Sequence, residues 1–358
     1  MGYCGSPQIP PNRPPRPHRK IHLSGTAKFS IIIVMTMRIP LAICLLCVPL
    51  CAKEAYPELT SADGSKSMRA KPMAVEGDKI RFEKEGGKLF SAKPDLFSAK
   101  DRKDLREWMA AMENDPHRAL VNRVKQAKTL RVLFVGNSYS FEIPKVFEKL
   151  AKSEGKRIAV DQVTKGGWTL EKHAASEATL EKISGGKWDV VVLQEQSLVP
   201  SFPEEQRSRQ MDAPAGKLAE AVREANAIPV FFLTWGRKDG DKQNAGVFPD
   251  DTYAAMQKRL VAGYKMAAKQ AGGAHVVPVG EVWSAIRRAG KDQGLYAKDG
   301  SHPAKRGVYL GACVFYSDFY DETIQKKARD IEDADIIAGS AAAARLARLP
   351  YPLHPETP

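Results

Sequence analysis

The stretch RVLFVGNSYSFEIPKV (Arg131–Val146) decides the reading of this chain. Five residues suited to a buried strand, Arg131–Val135, run into Gly136, Asn137 and Ser138, and an amphipathic helix is expected over 142–154. A serine at a strand-to-helix turn is either a helix cap or a nucleophile. The stretch alone does not separate the two.

Outward from it, the chain alternates strands and helices. Strands are expected at Arg131–Val135, Arg157–Val163, Trp188–Leu193, Ile228–Leu233 and His275–Val279, and helices at 142–154, 169–183, 203–226, 251–271, 281–289, 303–320 and 334–349. Most of the strand runs are short, continuously apolar and β-branched, as strands covered by helices on both faces must be. Alternation with helices implies a parallel sheet and right-handed crossovers. The fold class predicted is therefore α/β, a flavodoxin-like three-layer sandwich around a mainly parallel five-stranded sheet. Ligands of such sheets bind beyond the carboxyl ends of the strands. Ser138 falls on that edge, as do Gly166 and Gly167 after strand two, Gln194–Ser197 after strand three, and Thr234 and Trp235 after strand four.

An activated serine needs a base, a group that orients the base, and donors for the oxyanion. Of the seven histidines, His18, His22 and His354 lie near the termini. His117 starts a helix, where a solvated or capping role is the default. His275 opens the apolar run HVVPV and is expected to be structural. His173, one helical turn beyond Thr169, is expected either to face the cleft or to sit on the surface. His302 lies in YAKDGSHPAKRGVYLGA, three residues after Asp299, with Gly300 allowing a tight turn. Taken alone, that segment is also an ordinary Asp-Gly turn before a helix.

Together, the GNS turn, the glycine after strand two and Asp299-Gly300-Ser301-His302 resemble the SGNH (GDSL-like) hydrolase superfamily over roughly residues 129–320. GNSYS is not the G-x-S-x-G elbow, since Ser140 takes the last glycine position. Gly136-Asn137-Ser138 stands where Gly-Asp-Ser is usual, and Gly167 fits the second block. The third block departs from the pattern: Gln194-Glu195-Gln196-Ser197 replaces Gly-x-Asn-Asp, as in a divergent branch with a Gln-rich third block. The resemblance implies Ser138 as nucleophile, His302 as base and Asp299 as its orienter. It implies an oxyanion hole from the Ser138 and Gly167 backbone N–H groups and the Gln196 side chain, with Gln194 an equal alternative donor. Asn137, Gly166, Trp168, His173, Gln194 and Trp235 are the candidate cleft residues.

Composition narrows the classes. The 358 residues are 43% hydrophobic and 27% charged, with net charge +13. Six basic residues and no acid lie in residues 1–52, so the body carries +7. No basic run with interleaved aromatics tracks nucleic acid. No G-x-G-x-x-G follows a strand, and no His, Cys and carboxylate group has ligand spacing. Neither cofactor nor metal is expected. Cys313, alone beyond residue 53, reads as a packed helix residue.

Residues 1–34 are Pro- and Arg-rich and expected to be a disordered extension, or the product of a start placed too early, with Met35 or Met37 the true one. Residues 35–52 read as a signal peptide: Arg38, an apolar run from Ile39 to Leu50, then Cys51 and Ala52. A lipid anchor on Cys51 and an N-terminal membrane anchor are the minority readings, and no stable membrane span is expected after cleavage. Residues 53–127 form an accessory region, a hairpin turning at Gly86-Gly87 plus helices near 101–113 and 116–127. The main domain spans 128–349, and 350–358 are a Pro-rich disordered tail.

The leading expectation is an exported serine esterase taking a small-molecule or carbohydrate ester. A non-catalytic carbohydrate-binding protein and an acyltransferase on the same fold are the alternatives.

Overall fold

The computed structural model of the chain describes residues 56–346. The leader, the signal segment and the tail lie outside the described residues.

The N-terminal part is a four-stranded antiparallel sheet in the order β1-β2-β3-β4, made of β1 (Glu58–Thr60), β2 (Ser67–Glu76), β3 (Lys79–Lys84) and β4 (Leu89–Ala92). The expected hairpin is the β3–β4 pair, closed by the Lys84 N–H on the Lys88 carbonyl, with Gly86 and Gly87 both at positive φ. β2 escaped the sequence reading because a bulge between Pro72 and Ala74 breaks its alternation. α1 (Ala99–Glu113) is capped by the Ser98 side chain and buries Leu105 and Trp108 against Phe82, Phe97 and Ile80 of this sheet.

α2 (Pro116–Gln126) opens with Asp115 as cap and Pro116 at its first position, as expected. Its Leu120 and Val124 join the core of the α/β region. His117 is a correction: it is 4% exposed, and its Nε2 lies 2.6 Å from the Asp318 carbonyl oxygen.

The central sheet has five strands, all parallel, in the order β6-β5-β7-β8-β9. They are β5 (Leu130–Gly136), β6 (Ile158–Thr164), β7 (Val190–Leu193), β8 (Ile228–Phe232) and β9 (His275–Val277). Counted within the sheet the order is 2-1-3-4-5, the flavodoxin-like arrangement. Side-chain parity separates two cores. Val132, Phe134, Val190, Val192, Val230 and Phe232 enter one, and Leu133, Val135, Val191, Leu193, Phe231 and Leu233 enter the other. Both faces are thus apolar, which is why these strands read as unbroken hydrophobic runs.

α3 (Ile143–Ser153), α9 (Val279–Arg288), α10 (Lys305–Tyr320) and α11 (Ala334–Leu346) cover the first face with α2. The other face is covered by α4 (Leu170–Ala174), α5 (Glu177–Gly185), α7 (Ala213–Glu224) and α8 (Tyr253–Gln270), with the one-turn α6 (Glu204–Arg207) leading into α7. The single helix expected at 169–183 is two, because Ser176 ends the first and caps the second through the Thr179 N–H. The one expected at 203–226 contains a π-helical turn over Ser208–Asp212. Cys313 is buried in α10, and burial pushes its thiol up to about 12, as suits a packing residue. Among the described residues, no helix is long and apolar enough to cross a membrane.

Candidate active site

Each strand end places one part of the site on the carboxyl edge of the sheet. β5 ends at Gly136, and Asn137 caps the 3₁₀ turn Ser138–Ser140 by accepting the Tyr139 N–H. Gly136 is required here: a Cβ on it would lie 2.5 Å from Gln194 Oε1. The Gln194 carboxamide grips the turn from beneath, accepting from the Asn137 N–H and the Ser140 hydroxyl at 3.0 Å each. It donates to Asn137 Oδ1 at 3.0 Å and to the Glu195 carbonyl. The two departures from the usual pattern, Asn137 and the Gln-rich third block, are therefore complementary halves of one amide pair.

Ser138 Oγ lies 2.8 Å from His302 Nε2, across 164 residues of sequence. His302 Nδ1 lies 2.5 Å from Asp299 Oδ2, and Asp299 Oδ1 accepts the Ser301 and His302 backbone N–H groups at 2.9 and 3.0 Å. Gly300, at φ +67°, lets the loop fold its carboxylate back on the ring. Burial works to raise the Asp299 pKa, but the hydrogen bonds from the His302 ring and the two N–H groups outweigh it and the pKa is lowered. Asp299 therefore stays ionised and holds the proton of His302 on Nδ1, leaving Nε2 to accept from Ser138.

The loop carrying His302 is fixed from below. Trp235 Nε1 donates to the Ser301 carbonyl at 3.0 Å, and the Tyr139 hydroxyl meets Ser301 Oγ at 2.7 Å. Trp235 itself is stacked between Tyr139 and Trp283, at 4.8 and 4.1 Å. The sequence offered Trp235 as a cleft residue; it is fully buried and acts as a prop. Sequence reasoning missed Tyr139 and Ser301, although both flank the two key residues directly.

The remaining candidates divide by burial. Gly166 and Gly167 are exposed and Trp168 is half-buried. The turn they form is tied to the serine by Asn137 Nδ2 donating to the Trp168 carbonyl at 2.9 Å. Gly167 needs its residue type, with φ at +69°. Neither Ser138 nor Gly167 commits its backbone N–H among the described residues. Asn137, Gln194 and His173 are buried and so do not line an open cleft. His173 Nε2 lies 2.8 Å from the Gly136 carbonyl, and burial lowers its pKa against the raising effect of that bond, so it is a neutral support for the strand end.

Gln194 drops out as oxyanion donor, since both its amide hydrogens are used. The Gln196 carboxamide accepts the Leu198 N–H at 2.8 Å, which fixes its orientation, and its Nε2 has no acceptor among the described residues. Between the two glutamines, Glu195 is fully buried, receives the Leu170 and Gln196 N–H groups, and is pushed by burial up to about 8.

A second cluster lies elsewhere. His117, His275 and Asp318 bring their ring nitrogens and carboxylate oxygens within 4.8 Å of one another. Spacing could not reveal this group, because its members come from α2, β9 and α10.

No protein-family model matches the chain, and no curated protein matches it either. Solved structures do. A DUF4886 family protein from Bacteroides uniformis aligns over 63% of this chain and 97% of its own, at 18% identity and a TM-score of 0.55. A Slackia heliotrinireducens protein described as a candidate SGNH hydrolase aligns over 53% and 99%, at 28% identity and a TM-score of 0.44. The psychrotrophic esterase EstA from Pseudoalteromonas sp. aligns over 53% and 97%, at 15% identity and a TM-score of 0.40. The first similarity establishes a shared fold, and that fold is the α/β class expected from the sequence.

Proposed function

We propose that this protein is an SGNH-type serine hydrolase that cleaves short-acyl esters, O-acetyl groups on carbohydrates among them. The observation that carries the reading is the 2.8 Å contact between Ser138 Oγ and His302 Nε2, with Asp299 on the far side of the ring. A hydroxyl, a correctly oriented imidazole and an ionised carboxylate in line are the parts that nucleophilic acyl transfer requires.

The chemistry follows from the geometry. His302 Nε2 takes the Ser138 proton as Oγ attacks the ester carbonyl, and Asp299 stabilises the resulting imidazolium. The Ser138 and Gly167 N–H groups and Gln196 Nε2 receive the oxyanion. Collapse of the tetrahedral species expels the alcohol, protonated by His302, and leaves an acyl-serine. Water, deprotonated by His302, then releases the acid and restores the serine. The oxyanion donors are worth about 10²–10³ each in turnover, so the orientation imposed on Gln196 by Leu198 matters.

Export belongs to the same reading and rests on Arg38 and the apolar run to Leu50. N-terminal sequencing of the mature protein is expected to begin near Lys53.

The enzymatic test is hydrolysis of p-nitrophenyl acetate and acetylated oligosaccharides by the full chain and by Ser138→Ala and His302→Ala. Each variant is expected to lose about 10⁴-fold or more. Equal activity in all three proteins rules the mechanism out.

A further inference from the structure

Resting on the hydrolase reading, we infer that the ester this site takes carries an anionic group, a carboxylate best of all, held by Arg237. Arg237 follows β8 on the carboxyl edge of the sheet, directly after the Thr234-Trp235-Gly236 segment. Its main chain is pinned beside the His302 loop. The Lys238 N–H donates to the Gly300 carbonyl at 2.8 Å, and the Tyr296 hydroxyl donates to the Gly236 carbonyl at 2.8 Å. Its guanidinium reaches the other way, where Nη2 donates to Ser197 Oγ at 3.3 Å, one residue beyond Gln196. The cation therefore bridges the loop that carries the base and the strand end that carries the oxyanion donor. That places it at the edge of the space left for the substrate.

Its hydrogen bonding is incomplete. Arg237 Nε is buried and has no partner, and no carboxylate pairs with the guanidinium among the described residues. Arg287 and Arg345 also leave one buried nitrogen unsatisfied, but each has a carboxylate, Asp292 and Asp321, and the other arginines withdrawn from water are paired too. Arg207 is paired with Asp212, Arg259 with Asp251 and Arg306 with Asp333, at 3.2, 2.8 and 3.2 Å. A guanidinium presents a planar fork matched to a carboxylate, and one left with donors to spare at a ligand-binding edge is suited to receive such a group.

The free charge of the rim is mainly of the same sign. Lys165, lying over the Trp168 ring at 4.1 Å, is exposed, as are Lys238 and Lys298, and none of the three forms an ion pair among the described residues. Of the acids nearby, Asp299 is engaged with His302, Glu195 is fully buried, and Asp239 is exposed without bonding to Arg237. Three free lysines against Asp239 leave the border with a positive balance, which concentrates anionic substrates.

The test compares 4-acetamidobenzoate with uncharged 4-acetamidobenzamide, both amide mimics of an acetyl ester and neither of them an ester, by calorimetry on the full chain. The acid is expected to bind about tenfold or more tightly than the neutral compound. Arg237→Gln should remove that difference, and Arg237→Lys should keep part of it, since lysine supplies charge without the fork. With the wild-type protein, raising salt from about 0.05 to about 0.5 M should weaken the acid and spare the neutral compound. That measurement needs no variant to fold. Equal binding of the two compounds, binding of neither, or a difference that survives in Arg237→Gln overturns the assignment. Because binding is read on an amide, it is independent of turnover. Failure to hydrolyse p-nitrophenyl acetate sinks the hydrolase reading, and charge-blind binding sinks this one.

Discussion

Asp299 and Asp318 each hold a histidine ring at hydrogen-bond distance, His302 at 2.5 Å and His275 at 2.7 Å, but in opposite surroundings. The His302 and Asp299 side chains are 44% and 49% exposed on a loop at the carboxyl edge of the sheet, where a serine hydroxyl meets the ring's other nitrogen. The His275 and Asp318 side chains are 5% and 2% exposed, packed beside His117 where α2, β9 and α10 meet. A carboxylate that orients an imidazole is therefore not a catalytic device by itself. The serine hydroxyl on the ring's second nitrogen, and its access to solvent, distinguish the first arrangement. The second has the character of an internal clamp, joining α2 to the last strand of the parallel sheet.

The sharpest way to break this contrast is to give both carboxylates the same substitution. Asp299→Asn preserves shape but lets the amide favour the wrong tautomer of His302. Turnover on p-nitrophenyl acetate is expected to fall about 10⁴-fold. The pair is half exposed, so its loss should change unfolding free energy by less than about 1 kcal/mol. A variant that is destabilised as strongly as it is inactivated would make Asp299 a structural residue.

Glu195 sharpens the contrast from a third side, as a buried carboxyl with no imidazole at all. Its pKa is pushed up to about 8 by burial, from 4.5. A carboxyl raised in the folded state binds more protons folded than unfolded, so the stabilisation contributed by Glu195 is fully present below about pH 4.5. That contribution should fall as pH rises toward about 8 and then level off. The shift corresponds to roughly 4–5 kcal/mol. Denaturant titrations at pH 5, 6.5 and 8 measure this, and Glu195→Gln should remove most of the slope. An unchanged slope in that variant would assign the pH dependence to other groups. Asp299, with its pKa lowered, contributes with the opposite sign: its stabilisation is present above its unfolded pKa and lost as pH falls through its folded one.

How much of this was legible in the sequence depends on how locally each feature is encoded. Most of the five central strands announced themselves because both sheet faces are covered, which forces unbroken apolar runs such as Val190–Leu193. The positions of Ser138, Gly167 and His302 followed from strand ends and from short-range motifs. The roles of Gln194 and Gln196 did not, since they turn on which amide hydrogens are already used. Trp235 and Tyr139 were hidden for a related reason: a buried aromatic and a cleft aromatic look alike in a sequence. Of the antiparallel sheet only the β3–β4 turn was visible, because glycines mark turns, whereas the pairing of β1 with β2 has no local signature. His117, His275 and Asp318 lie too far apart in sequence for spacing to join them, 201 residues separating the outer two.

Asp318→Asn completes the comparison with the smallest effect. The Asp318 carboxylate serves His275 through Oδ2 and stands 3.7 Å from His117 through Oδ1, while the main-chain carbonyl of the same residue holds His117 at 2.6 Å. An asparagine can offer its carbonyl oxygen to only one ring and must turn an N–H₂ group toward the other. One buried polar contact is then mismatched, at a cost of about 1–3 kcal/mol in unfolding free energy. The His117 bond to the main-chain carbonyl is unaffected by the change, which holds the loss near the lower end. Since the clamp is remote from the serine, turnover per folded molecule should stay within about twofold of the parent. Thermal denaturation and p-nitrophenyl acetate kinetics on the same preparation check both halves. A drop in turnover with stability intact would mean that this buried pair, rather than the exposed one alone, is coupled to the reaction.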